Sequence, residues 1–338
     1  MQVRKIMPVL LLGSLIFFLS TSFGYAREEY PTTDVPAAQE CHDRGMAYLN
    51  QGHYDQAIIE FNKSMELDPK FPRPYCNRGL AYDLQGDHVK AIADYTRAIE
   101  LKPDYYQAYS NRGILYGKQG NDAQAMADFN KAIESKPDCV QAYYNRGNAY
   151  LKQEAYPKAI ADYDKAIEFM PTFVRAYTNR AEAYYKQGDY AQAITDYDKA
   201  IELDPNHKTA YRGRALAYEK QKNHSQAKSD LDTAIDLGKK TEPVPRDAYS
   251  RPNDARIYYE RGTVSVSQRN AEQAISDFTK AIELKADYAE AYYGRGGVYW
   301  IMKDYERGLA DFRKAEELGF ALPAVLSEKL QQYENRNK

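Results

Sequence analysis

Small, aromatic and charged positions recur along this chain at a pitch of 34 residues. The small residue that follows an Arg falls at Gly45, Gly79, Gly113, Gly147, Ala181, Ala215, Gly262 and Gly296. Every step is 34 residues except Ala215 to Gly262, which is 47. The pattern predicts eight units, with 13 extra residues between the sixth and seventh, over roughly residues 38–241 and 255–322. A fixed period of this length implies an array of stacked units, not one globule around one buried site.

Each unit reads as two helices. In the third, a first helix is predicted from about Tyr105 to Lys118 and a second from about Asp122 to Ser135, separated by Gln119-Gly120-Asn121. Asn121, Asp87, Asp189, Asn223, Asn270 and Asp304 stand where they cap second helices. Pro69, Pro103, Pro137, Pro171 and Pro205 stop those helices. Asp104, Asp138, Thr172, Asn206, Asp254 and Asp287 are placed to cap the next first helix, with Lys70 the exception.

Three further rows run in the same register. Ala57, Ala91, Ala125, Ala159, Ala193, Ala227 and Ala274 face the glycine row across each hairpin, with Gly308 in the last unit. Tyr48, Tyr82, Tyr116, Tyr150, Tyr184, Tyr218 and Tyr299 form one aromatic row. Phe61, Tyr95, Phe129, Tyr163, Tyr197 and Phe312 form another, and its mixture of Phe and Tyr suggests that ring volume matters more than the hydroxyl.

This spacing of Gly, Tyr, Ala, Phe/Tyr and Pro resembles the tetratricopeptide repeat family over about four-fifths of the chain. The resemblance implies an all-α, right-handed superhelical solenoid of eight helix-turn-helix repeats. It implies a groove lined mainly by first helices, and binding of a peptide or protein. The family's usual Leu before the Gly is Arg in all eight units, and the sixth unit departs most, with Leu231 for the aromatic residue and Lys239 for the Pro.

The two ends are separate objects. Arg4 and Lys5 followed by a mostly apolar run from Ile6 to Phe23 and by Gly24-Tyr25-Ala26 read as a signal peptide, residues 1–26, cleaved after Ala26. The alternative is an uncleaved anchor, for which the stretch is short. Residues 27–37 follow as a polar tether. At the other end, residues 323–338 resemble the family's capping helix, with Val325, Leu326, Leu330 and Tyr333 as its buried stripe. The segment 242–254 holds Pro243, Pro245 and Pro252 and reads as a loop; it either re-angles the last two units or is an inert excursion.

The formal net charge is −2, and loss of the leader takes Arg4 and Lys5 with it. A mildly acidic chain without a basic block argues against nucleic acid as partner. No membrane span is expected after leader cleavage. Cys41 and Cys76 fall on first helices of adjacent units, whose axes stand about 8–10 Å apart, beyond easy disulfide reach. With Cys139 they read as small packing residues. His42, His53, His88, His207 and His224 are scattered and make no metal-ligand spacing, so no metal, no cofactor and no catalytic centre is expected.

Four rows carry candidate chemistry. Arg78, Arg112, Arg146 and Arg180 are matched by Asp94, Asp128, Asp162 and Asp196, at equal distance from the hairpin turn. They are expected to pair across the hairpin or across the joint to the next unit, as architecture. Asn77, Asn111, Asn145 and Asn179 precede the Arg only in the central units. Two readings stand: a ladder that hydrogen-bonds a peptide backbone, as in some family members, or a copy left by duplication. Lys118, Lys152, Lys186 and Lys220 end first helices, where a cation complements the helix dipole by about 0.3–1 kcal/mol. By resemblance that end also opens on the groove, as a positive rail for an acidic peptide. Tyr259, Tyr293 and Trp300 make the last two first helices aromatic, a second groove patch or ordinary amphipathic surface.

The expectation is an exported bacterial-type scaffold, periplasmic or secreted, non-catalytic, that holds an extended peptide or protein segment in its groove. The alternative is a structural assembly factor of a cell-envelope complex that uses its outer faces and ends.

Overall fold

The repeat period becomes helix pairs through two local rules. In unit three, Lys102 at the end of the preceding helix is extended (φ −138°, ψ 94°) because Pro103 follows it, which ends the helix. Inside the hairpin the chain reverses through a left-handed residue, Gly120 at φ 79°. Glu154, Lys222, Arg269 and Lys303 adopt the same left-handed turn without being glycine. Lys285 ends its helix in the extended conformation with no Pro after it, so the Pro reinforces a geometry the stack already imposes.

The computed structural model describes residues 31–240 and 250–336. Among these residues there are 17 α-helices and no strand. Unit one is α1 (Pro36–Asn50) and α2 (Tyr54–Leu67), followed by α3 (Pro72–Leu84) with α4 (His88–Leu101) and α5 (Tyr106–Lys118) with α6 (Asp122–Ser135). The next pairs are α7 (Val140–Lys152) with α8 (Tyr156–Phe169), α9 (Val174–Gln187) with α10 (Tyr190–Leu203), and α11 (Lys208–Lys220) with α12 (His224–Lys240). After the insert come α13 (Ser250–Ser267) with α14 (Ala271–Leu284), α15 (Ala289–Ile301) with α16 (Tyr305–Glu317), and the terminal α17 (Ala324–Arg336). This is the expected eight-unit solenoid with a terminal helix. The leader and its cleavage site lie outside the described residues.

Several boundaries differ from those expected. Helix α1 begins at Pro36, inside the segment read as tether. Helix α12 runs on to Lys240 and α13 starts at Ser250, so Asp254 sits within a helix and caps nothing. The N-cap places of α5, α7, α9, α11 and α15 are held by Tyr105, Cys139, Phe173, His207 and Tyr288, one residue after Asp104, Asp138, Thr172, Asn206 and Asp287, with no side-chain cap. Burial decides this: Phe71, Tyr105, Cys139 and Tyr288 are 1–9% exposed at these starts. Burying such a side chain is worth about 1.5–3 kcal/mol, against about 1 kcal/mol for a cap. Second helices do use the expected caps, Asp87, Asp189, Asn270 and Asp304 each accepting a backbone N–H. Asn121 does not cap; its amide lies against Gln119. In α17, Leu330 is buried and Leu326 and Tyr333 are partly covered, but Val325 is 66% exposed and lies outside the stripe.

Packing within a unit is a ring laid on a glycine. A Cβ at Gly113 would stand 2.8 Å from the Phe129 ring and 3.2 Å from the Ala125 carbonyl oxygen. Gly79 meets Tyr95, and Gly147 meets Tyr163, in the same way. Leu231 fills the ring's place in the sixth unit and is 1% exposed. All three cysteines are free thiols in buried positions, and burial pushes the Cys76 thiol up to about 12.

Packing between units is fixed by the Arg row. In unit three, Arg112 Nε and Nη2 each donate to Asp128 at 2.8 Å, across the hairpin. Its remaining Nη1 donates at 2.9 Å to Thr96 Oγ1, on the second helix of the preceding unit. The Arg thus meets its acid across the hairpin, and the joint is closed by the third edge of the guanidinium on a different residue of the preceding unit. The same fork joins Arg78 to Asp94 and Asn62, Arg146 to Asp162 and Asn130, and Arg180 to Asp196 and Asp164. Arg214 and Arg295 repeat it. Arg261 bridges the insert, with Asp277 in its own unit and Asp232 before the insert. A Tyr three residues earlier lies against the guanidinium, as Tyr143 does at 5.5 Å from Arg146.

The array curves toward its first helices. Successive first helices approach one another directly from α1 to α11 and again at α13 and α15, while successive second helices do not. At the insert α12 packs on α13 as α10 packs on α11, but α11 and α13 stand further apart than the other first helices. Arg212 fills that joint, donating to Glu260 at 2.8 and 2.6 Å.

Replacing Arg112 with Ala strands Asp128, which is 5% exposed, and is expected to cost about 3 kcal/mol in urea unfolding. Lys118→Ala, which breaks an exposed pair with Asp83, is expected to cost less than about 1 kcal/mol. The double change Arg112→Leu and Asp128→Leu is expected to recover part of the loss; strict additivity would show that the two side chains do not act together.

Candidate partner-binding wall

The Asn row lies at the joints between units, over the aromatic ring of the preceding second helix. Two of its amides are spent on side chains of the preceding unit. Asn111 stands beside the Tyr95 hydroxyl. Asn179 Nδ2 donates at 3.1 Å to the Tyr144 hydroxyl and at 2.8 Å to Asn148 Oδ1, which also accepts from Tyr163 at 2.8 Å. In unit two Asn77 Nδ2 stands 2.8 Å from His42 Nε2. Asn145, behind Phe129, has no hydrogen-bond partner among the described residues. The hydroxyl of Tyr163 is engaged, which ring volume alone did not anticipate.

The same joint explains why the row stops. A Cβ at Gly213 would stand 2.3 Å from the Tyr197 ring, and one at Gly294 would stand 2.9 Å from Phe278. At the insert the position holds Glu260, 7% exposed and bound by Arg212 and Arg256. Asn148 is a residue that the repeat pattern did not single out. Its link to Asn179 crosses from α7 to α9, which places it on the inner wall, and its own amide N–H groups have no acceptor among the described residues.

The Lys row divides in two. Lys118 pairs with Asp83 at 3.1 Å and Lys152 with Asp122 at 2.9 Å. Lys186 and Lys220 are exposed and have no ion pair among the described residues.

Tyr259, Tyr293 and Trp300 come together. With Thr263, Val266, Gly297, Ile301 and Leu326 they line one cleft of about 390 Å³ between α13, α15 and α17. Tyr293 stacks on Phe320 at 4.5 Å, and Trp300 meets Tyr305 edge-on at 4.9 Å. Burial holds the phenol of the neighbouring Tyr288 up at about 12.

His42 is fully buried between the rings of Phe61 and Phe71. With Nε2 facing the Asn77 amide, Nδ1 carries the proton and donates at 3.0 Å to Asp43. Burial, aided by the charge of Arg73, lowers its pKa from 6.5 to about 4. Among the described residues no group of three His, Cys, Asp or Glu side chains could hold a metal ion, and no helix is long and apolar enough to cross a membrane.

These features define a class: an all-α solenoid of two-helix units whose repeated polar residues hold the stack and whose inner wall is free for contacts. Tetratricopeptide repeat models match residues 72–105 and 174–207 and residues 259–320, and a TPR repeat model matches 45–86, 116–154 and 147–188. The chain belongs to the tetratricopeptide repeat family, and its fold is that of a protein–protein interaction scaffold. No match is found among curated protein sequences. In fold it is similar to a tetratricopeptide repeat protein from Parabacteroides merdae, at 23% identity over 78% of this chain and 99% of that one, with a TM-score of 0.54. The C-terminal part of a TPR repeat-containing protein from Cytophaga hutchinsonii is similar at 20% identity over 75% of this chain and 98% of that one, with a TM-score of 0.56. The Cut9–Hcn1 hetero-tetramer of APC/C is similar at 14% identity over 85% of this chain and 54% of that one, with a TM-score of 0.59. At these identities the likeness is one of fold.

Because the folded state holds His42 neutral, the unfolded chain binds a proton first as the pH falls. Stability is full above pH 6.5 and is lost down to about pH 4, by roughly 3 kcal/mol. Hydrogen exchange in α1 and α2, corrected for intrinsic rates, is expected to show this loss of protection. His42→Gln should remove the pH dependence; an unchanged profile would place its origin elsewhere.

Proposed function

We propose that this chain is a non-catalytic scaffold that holds an extended segment of a partner protein along the wall formed by its first helices. The observation that carries this reading is the state of the polar groups. The Arg and acid rows, and the amides of Asn77 and Asn179, are spent on joints between units. Asn145 and Asn148, adjacent on α7 in the middle of the wall, keep amide groups unspent. An amide that donates and accepts suits a peptide unit, which does both. The ladder is therefore shorter than the four-Asn row, and Asn77 and Asn179 serve it by holding the joints. Lys186 and Lys220 add positive charge at the edge of the same wall and favour an acidic segment.

The leader assigns the scaffold to the exported compartment, periplasmic or secreted, with a mature chain beginning at Arg27. N-terminal mass spectrometry of the protein from its native cell tests this; an intact Met1 in the membrane fraction would replace the leader with an anchor.

Asn148→Asp keeps the oxygen that accepts from Tyr163 and Asn179 and removes the free donors. Combined with Asn145→Ala, it is expected to leave melting nearly unchanged. Each lost hydrogen bond is worth roughly 0.5–1.5 kcal/mol, so affinity for a partner captured from envelope extract should fall by about ten-fold. A folded double mutant that holds the same partner with the same affinity would move the contacts to the outer faces and ends of the stack.

A further inference from the structure

The inner wall changes character in the last two units. The row that ends first helices with Lys in units three to six continues as Ser267 and Ile301. The position after the repeat's small residue, Asn148 in unit four, becomes Gly297 in unit eight. Gly294 has a packing reason, since a Cβ there would press on Phe278. Gly297 has none: a Cβ there would meet nothing within 4 Å. A glycine in mid-helix weakens the helix relative to almost any other residue, so its effect here is to keep the floor of the cleft open. The walls are apolar and partly uncovered, with Val266 40% and Ile301 76% exposed.

The free cations stand beside this cleft. Lys118 and Lys152 are paired, whereas Lys186 and Lys220 have no ion pair among the described residues. Lys220 follows Glu219, whose Oε1 accepts at 3.1 Å from the hydroxyl of Ser267. Ser267 follows Val266 of the cleft wall, so the end of α11 abuts the mouth of the cleft. Glu219 is itself occupied, with His224 at 2.7 Å as well as Ser267. The wall thus presents an apolar socket followed by uncompensated positive charge on the next two units.

We propose that the cleft takes one bulky apolar side chain from an acidic segment of a partner protein, and that Lys220 and Lys186 take carboxylates further along the same segment. This rests on the groove reading and names the chemistry of its ligand. Packed helices stand about 8–10 Å apart and an extended chain advances about 3.3 Å per residue, so a unit spans about three residues, and more across the wider joint between α11 and α13. The segment therefore carries its first acid more than about three positions from the apolar anchor and its second about three positions further on. The socket supplies apolar burial and the lysines supply register and salt dependence.

Trp300 is the one tryptophan of the chain and lines the cleft, so its emission reports occupancy directly. The probe is a set of peptides selected from a random dodecapeptide phage library on the full mature chain. Selected peptides are expected to share one aromatic or Leu residue with Asp or Glu at that spacing, and to shift Trp300 emission on titration. Gly297→Leu fills the cleft and is expected to weaken binding at least thirty-fold without lowering the melting temperature. If that variant fails to fold, Ile301→Asp on the exposed rim is expected to do the same. Lys186→Gln with Lys220→Gln is expected to weaken binding about five- to ten-fold and to flatten its salt dependence. Peptides that bind the filled variant as tightly as the parent, or that carry no acids and ignore the lysine changes, overturn the proposal. A peptide that leaves Trp300 unmoved but is lost with Asn145→Ala and Asn148→Asp overturns it while sustaining the groove. An apolar small molecule that fills the cleft while no peptide does also overturns it.

Discussion

One guanidinium in each of units two to eight holds three helices. Two of its edges close on the acid across the hairpin, and the third reaches the second helix of the unit before. A planar fork with five donors can do this where an ammonium on a flexible stem cannot. The carboxylates sit almost out of solvent, 1–8% exposed, so either half of the pair left alone is costly. Its contribution to net stability is smaller than the cost of breaking it, because both charges were taken out of water to make it. What it sets is orientation. The ring-on-glycine contact fixes how the two helices of a unit meet, and the Arg fork fixes how the next unit sits on the last.

The surface left for recognition follows from that. First helices approach one another and second helices do not, so the wall curves inward and brings side chains of neighbouring units together. The repeating polar residues are consumed in building it. Specificity is left to positions that differ from unit to unit: Asn145 and Asn148 in the middle, Lys186 and Lys220 beyond them, and the apolar cleft at the end. The insert acts at the same boundary. It leaves α12 packed on α13, yet it separates α11 from α13 and calls for the buried Arg212–Glu260 pair to close the joint.

His42 shows how the stack treats its ends. Unit one has no preceding unit among the described residues to receive Arg44, which gives Nε to Glu60 and turns Nη2, the atom that elsewhere meets the acid, onto Cys41 Sγ at 3.0 Å. The joint to unit two is closed by a neutral histidine in the place that the Tyr144 hydroxyl occupies at the joint to unit five. At the other end α17 covers the last unit through Leu330, with Tyr333 against Trp300 and Tyr305.

The sequence by itself determined the number of units, the helix pairs and the rows that face one another across each hairpin. All of these repeat, and a period carries information that no single helix contains. It placed Tyr259, Tyr293 and Trp300 on the last two first helices without deciding between a site and ordinary surface, and the fold brings them into one cleft. The tertiary structure alone decided where first helices begin, since that was a contest between a polar cap and a buried ring. It decided that Asn77 and Asn179 are engaged and Asn145 is not, because the answer depends on side chains of the preceding unit, some thirty-one to thirty-five residues away in the chain. It separated the paired lysines from the free ones for the same reason. A row in the sequence says that a position recurs; only the neighbouring unit says whether its chemistry is still available.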